Sequence, residues 1–402
     1  MNFGFLFIKS MKKIILSLVI ACQTVVSATA QITGNGYYRI QNHTTQRYMS
    51  LSDNTSRGIN YQSTTVDASA LLTKKNWDDI CTDPGTIFYI EKINEEEYNI
   101  KSQGSDLYNM IKYYIRLKYY PGNNLYRAWQ QNQATTVYLS DEYDITKNRT
   151  IGYVDNNNTS TMNWYIKAVN TEDNFLGIKP TVTANGKHYA TFYASFPFST
   201  VSEGMKVYYI SSIKESTGMV IYKPLTGIIP AETPVIIECA STEPAKNKIK
   251  IEGTNPSKIS DNQMTGVYFC LGNRTTAHYN STEFKPESMR VLGVDEKGNL
   301  VFNNADTYMK NTIIKTGKWP TEKYPEIKAI PNNTGYLKVS ATCPNTLKIV
   351  NEATGIKNVT EDTYKSAAIY TITGIKVRDK ATSTEGLPKG IYLFKGKKIV
   401  VK

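Results

Sequence analysis

One short pattern keeps returning along this chain: an aromatic residue, an isoleucine and a β-branched residue at alternate positions. Phe88-Tyr89-Ile90-Glu91-Lys92-Ile93-Asn94 is answered 76 residues later by Trp164-Tyr165-Ile166-Lys167-Ala168-Val169-Asn170. Second strands follow them, reaching Ile100-Lys101 and Ile178-Lys179, and an earlier pair is Tyr38-Arg39-Ile40-Gln41-Asn42 and Arg47-Tyr48-Met49-Ser50-Leu51. Period two turns one apolar face inward, and repeated hairpins of this kind predict a domain built by duplication. With 29 Tyr, 11% aromatic and 20% charged residues, the chain is rich in β-formers. It argues against a helical bundle, a coiled coil, a membrane-spanning helix and wholesale disorder.

A second duplication lies further on. Ile229-Pro230-Ala231-Glu232-Thr233-Pro234-Val235-Ile236 recurs 101 residues later as Ile330-Pro331-Asn332-Asn333-Thr334-Gly335-Tyr336-Leu337. Upstream, Met205-Lys206-Val207-Tyr208 recurs as Met289-Arg290-Val291-Leu292. Proline fixes φ and lacks a donor, so each Ile-Pro-x-x-Thr turn launches a strand. Two such halves predict a β-sandwich. Tyr189-Ala190-Thr191-Phe192-Tyr193-Ala194 through that turn resembles a module of exported Bacteroidota-type surface proteins, which implies no particular function.

At the N-terminus, Lys12-Lys13 precede the apolar run 14–20, and Ala28-Thr29-Ala30 stands before Gln31. This is the order of a secretory signal peptide over residues 1–30, with cleavage between Ala30 and Gln31; Met11 is an alternative start. Val19-Ile20-Ala21-Cys22 is the competing reading, a lipoprotein box. The formal charge is +12 and three lysines fall in the signal, leaving +9, of which +5 lies from Asn351 onward. A nucleic-acid partner calls for a basic stripe interleaved with aromatics, which the body lacks. An anionic surface or a simply solvated basic surface remains.

Tyr38-Arg39-Ile40-Gln41-Asn42 followed by Arg47-Tyr48-Met49-Ser50-Leu51 resembles the opening of a ricin-type β-trefoil repeat. The later signature of that family is matched by the aromatic and isoleucine of residues 86–90 and 162–166. The resemblance implies a β-trefoil-like domain over 31–182. The sugar-binding Asp of such lectins is Ser50 here, and the signature Gln is Thr86 or Met162. Residues 66–79, with Ala68, Leu71, Leu72 and Trp77, read as an inserted short helix. At the other end, Leu387-Pro388-Lys389-Gly390-Ile391-Tyr392-Leu393 and the basic strand Lys397-Lys398-Ile399-Val400-Val401-Lys402 resemble the C-terminal sorting domain of type IX secretion cargo. That resemblance implies export machinery as a partner of residues 351–402.

Cys239 and Cys270 each close a strand-like segment and form a disulfide candidate; buried free thiols are the alternative. His43, His188 and His278 are the only histidines, none at a metal-ligand spacing from another, and no catalytic or cofactor motif occurs. No cofactor is expected. Recognition by aromatics and amides remains, and its densest cluster is 123–133, with Tyr126, Arg127, Trp129, Gln131 and Asn132. Sugar rings stack on Trp and Tyr while amides and Arg bond their hydroxyls; the competing reading packs Tyr126 and Trp129 in the core. Trp319 is a second candidate.

The sequence thus predicts an all-β protein: a β-trefoil-like domain 31–182, a duplicated β-sandwich 183–350 and a small C-terminal β tail. Its expected role is a non-catalytic, exported surface protein, at the cell surface, outer membrane or secreted. It would bind a glycan or surface polysaccharide, or a host protein. The alternatives are an adhesin-like structural component and an accessory glycoside hydrolase.

Overall fold

The computed structural model describes residues 31–32, 34–51, 65–67, 71–108, 114–132, 135–144, 149–155, 160–268, 282–313, 326–351, 367–394 and 397–401. The signal segment with Ala30, Cys270, His278 and Trp319 lies outside them. The described chain is all-β, with one four-residue α-helix, α1 (Trp77–Ile80), and short 3-10 turns. It divides into two compact units, Met1–Val169 and Asn170–Lys402.

The first unit holds β1 (Gly36–Asn42), β2 (Tyr48–Leu51), β3 (Thr65–Asp67), β4 (Leu71–Lys74), β5 (Phe88–Lys92), β6 (Glu97–Ser102), β7 (Ser105–Tyr108), β8 (Arg116–Tyr120), β9 (Leu125–Asn132), β10 (Thr135–Asp144), β11 (Arg149–Asp155) and β12 (Trp164–Ala168). Six of them close a ring of antiparallel pairs, β1–β5–β6–β8–β9–β12 and back to β1. Closure leaves the ring without an edge strand. Hairpins β2–β4 and β10–β11 stand off it, and β7 folds back beside β6 with β3 parallel to it. Strand β6 alternates half-buried and buried residues, as one inward face requires. Ile40, Phe88, Ile90, Tyr98, Leu117, Tyr126 and Trp164 fill the interior, all fully buried. The Trp164 indole donates to the Leu139 carbonyl at 3.2 Å.

Two carboxylates tie the hairpins down. Asp83 accepts from Ser50 Oγ and Lys74 Nζ, each at 2.6 Å, and from the Gly85 amide at 2.8 Å. A Cβ on Gly85 would come within 2.5 Å of the Leu51 carbonyl, so only glycine lets the 3-10 turn approach β2 this closely. Asp141 of β10 accepts from Thr45 and Thr73 with Arg47 beside it, linking the β10–β11 hairpin to the β2–β4 hairpin. The helix expected over 66–79 is corrected: Leu71–Lys74 is a strand paired with β2, and only Trp77–Ile80 is helical. Leu71 and Thr73 are buried on alternate positions, a period-two pattern that a helix cannot use.

The second unit begins ahead of the boundary expected at 182. Its strand β13 (Leu176–Gly177) pairs with β20 (Lys248–Ile251), which also takes β16 (Phe198–Thr200). The main ladder has ten strands: β14 (Val182–Ala184), β15 (Lys187–Phe192), β17 (Lys206–Lys214), β18 (Met219–Leu225), β19 (Val235–Cys239), β21 (Met264–Val267), β22 (Met289–Val294), β23 (Leu300–Asn303), β26 (Thr334–Lys338) and β27 (Thr346–Asn351). A separate hairpin joins β24 (Lys310–Ile313) to β25 (Glu326–Ala329). The order β19-β17-β18-β27-β23-β22-β26 sets the two copies of the duplicated segment on either side of β27. Both copies of the turn carry a left-handed residue at the same place, Glu232 and Asn333, each with φ 56°. Both turns hold one segment: Glu232 N donates to Ala194 O at 2.8 Å, and Tyr193 N donates to Asn333 O at 2.9 Å.

The tail is a four-stranded sheet of β28 (Ala367–Thr371), β29 (Lys376–Ala381), β30 (Gly390–Phe394) and β31 (Lys397–Val401). Ile369, Ala381, Tyr392 and Phe394 form its own small core, with Leu387 packed against it.

Candidate functional site

The strand β6, the hairpin arm β7 and the start of β8 line an open-mouthed cavity of about 220 Å³ in the first unit. Its lining alternates buried aliphatics, Ile100, Leu107 and Ile115, with polar residues, Asn99, Lys101, Asp106 and Arg116, and with the exposed ring of Tyr114. A tight turn builds it. Gln103 (φ 51°) and Gly104 (φ 71°) both lie in the left-handed region, the geometry of a two-residue hairpin loop. The register that follows sets Lys101 opposite Asp106. Across the other side of β6, Asn99 stands opposite Arg116.

The charges around the cavity are paired. Lys101 Nζ lies 3.2 Å from Glu91 and 3.7 Å from Asp106, and Arg116 lies 3.5 Å from Glu97. Burial works against the Lys101 ammonium, but the hydrogen bond it donates to Glu91 and the Asp106 charge more than offset it, so its pKa is raised. The result is an amphipathic niche whose cations each have a carboxylate partner. Its volume falls below the roughly 300–1,000 Å³ of pockets for drug-sized molecules, which suits a single small ring.

The cluster expected from the sequence sits on the adjacent strand, and its members part company. Tyr126 is fully buried and its hydroxyl accepts from the Ile32 amide at 2.7 Å, which corrects its assignment as a stacking surface. Burial, above all, pushes its phenol far above the usual range. Arg127 is half-buried; its Nε donates to Asn163 at 2.9 Å and its guanidinium lies 4.7 Å and 5.5 Å from the Tyr120 and Tyr138 ring centroids. Those contacts commit it to the fold. Trp129 is half-buried and stands directly opposite Arg116 of the cavity wall. Its indole N–H is buried and has no hydrogen-bond partner among the described residues. Gln131 and Asn132 belong to β9, opposite Thr136 and Thr135, and their side chains lie outside the described residues.

Gln31, the expected first mature residue, donates from its amide to the Glu95 carbonyl at 2.5 Å, and Tyr98 donates to the Ile32 carbonyl at 2.9 Å. Ser50, where the lectin family carries its Asp, is buried and spent on Asp83. Among the described residues no group of three or more His, Cys, Asp or Glu is placed to hold a metal, and no helix is long and apolar enough to cross a membrane. Cys239 is a free, buried thiol. Its strand β19 is not a ladder neighbour of β21, which leads to Cys270. Cys239 also stands opposite His188, at the far end of β19 from Val235. The premise of neighbouring strand ends for the candidate disulfide is thus not met.

No protein-family model, curated protein or solved structure matches the chain.

Proposed function

We propose that this chain is an exported, non-catalytic surface protein whose first unit binds one ring of a glycan in the β6–β7–β8 cavity. The observation that carries this reading is the cavity itself, with a solvent-facing Tyr114 at its lip and charge-paired donors and acceptors on its wall. A pyranose presents apolar CH faces to an aromatic ring and hydroxyls to such groups. Arg116 is shared between this niche and Trp129, so Trp129 extends the surface and does not define it. A β-trefoil is the finer fold we assign to this unit, supported by the closed six-stranded ring with its off-ring hairpins. For the duplicated region we keep the β-sandwich reading. It is supported by a core cluster that draws Ile210, Val220 and Ile236 from one half and Leu292, Phe302 and Leu337 from the other. The tail, from 367 on, is assigned as a sorting address, which its own sheet and core support.

The test is a carbohydrate array probed with the chain from Gln31 to Lys402. A saturable response that Tyr114→Ala removes supports the reading. A flat array together with adhesion to protein matrix favours the adhesin-like alternative, and sugar release dependent on a carboxylate pair favours the hydrolase.

A further inference from the structure

Seven of the eleven large apolar side chains exposed among the described residues belong to the tail, so its sheet concentrates what the rest of the surface avoids. Register gathers four of them on one face. Residues directly opposite one another share a face, and one rung runs Lys376–Tyr370–Leu393–Lys398 across all four strands. Ile391 and Val400 form the next pair on that side, two residues along each strand. These apolar residues are 36–61% exposed. Ile372, at the end of β28, is 60% exposed. The opposite face has its own cover: Leu387 packs on it, Tyr392 donates to Pro388 O at 3.0 Å, and Arg378 donates to Glu385 O at 2.8 Å. Residues 367–401 carry seven Lys/Arg against two Asp/Glu.

We propose that this open face docks onto an anionic lipid surface, with the aliphatics in the headgroup boundary and the lysines at its margins on lipid phosphates. An apolar centre flanked by Lys376 and Lys398 matches the amphipathic logic of interfacial binding. A protein partner fits less well, because protein interfaces are depleted in lysine and their energy centres on Trp, Tyr and Arg. A second copy would set Lys376 and Lys398 against like charges across a two-fold axis. The proposal goes beyond the address role of the tail and is independent of the cavity.

The chain from Gln31 to Lys402, which holds every described residue, is titrated with phosphatidylcholine vesicles with and without phosphatidylglycerol. Binding should require the anionic lipid and weaken with salt. Ile372→Asp with Val400→Asp should abolish it, and Lys398→Glu should weaken it about fivefold or more. Ile93→Asp, on the other unit, should leave it unchanged, with all melting transitions retained. The proposal is overturned if the doubly substituted chain binds as tightly as the parent or if neutral vesicles bind equally well. It is also overturned if the parent ignores vesicles and instead self-associates or captures a protein through this face.

Discussion

Arg290 is fully buried, yet every hydrogen bond it makes ends on a main-chain carbonyl: Pro344 and Cys343 on one segment, Pro286 and Met289 on another. A planar fork spreads its donors widely enough to reach four carbonyls on two segments, whereas an ammonium concentrates three donors at one point. Arg290→Lys should therefore cost about 2–4 kcal/mol, since carbonyls left buried without donors pay their full desolvation; urea unfolding measures it, and an unchanged midpoint would remove the clamp. Glu238 gives a pH signature. Burial pushes its carboxyl up, but Lys187, Lys206 and the Tyr208 hydroxyl together hold it below the ordinary 4.5. A depressed carboxyl contributes stability above its unfolded pKa and loses it as pH falls through the folded one. The melting temperature of Glu238→Gln should thus lie below the parent's near neutrality and converge with it in acid. A gap that stays constant with pH would contradict the pairing.

The duplicated turns test how far a repeat in sequence is a repeat in energy. Glu232 and Asn333 occupy the same left-handed position, but Asn333 turns its side chain back on the held segment, donating to Tyr193 O at 3.1 Å, whereas Glu232 reaches out to an exposed Lys258 at 2.7 Å, a pair worth little. Glu232→Gly should be neutral or stabilising by up to about 1 kcal/mol, because glycine removes the left-handed strain. Asn333→Ala should destabilise by about 1–3 kcal/mol through strain and a lost buried bond. Equal effects at the two sites would contradict this difference between the turns. These turns were legible because proline and the Thr that follows mark them. The inserted helix was misread because Leu71 and Leu72 satisfy both periods over so short a run, and only pairing with β2 decides between them. The cavity went unread for a different reason. Lys101, Asp106, Tyr114 and Arg116 are common types spread over separate strands, and each is unremarkable alone. The Gln103-Gly104 pair was the available signal, since a two-residue hairpin there fixes Lys101 against Asp106.

At the scale of the molecule, all-β architecture followed from alternation and composition. How the strands close did not, because ring closure depends on pairs as distant as β1 with β12. Strand β27 lies in the middle of the ten-stranded ladder and ends at Asn351, while the tail builds its own sheet and core. A chain ending at Asn351 should accordingly stay soluble and keep its main melting transition, whereas one ending at Asn345, which removes β27 from between β18 and β23, should expose unpaired edges and aggregate; light scattering and calorimetry separate the two. In the function proposed above, the β6–β7–β8 cavity is where this protein meets its ligand. Its most direct test is a calorimetric titration of the sugar selected by the array against the parent, Tyr114→Ala and Trp129→Ala chains. A loss of about tenfold or more is expected for Tyr114→Ala, an aromatic contact of about 1.5 kcal/mol, and a smaller loss for Trp129→Ala. Unchanged affinity in Tyr114→Ala, with binding abolished by Trp129→Ala, would contradict it and return the site to β9.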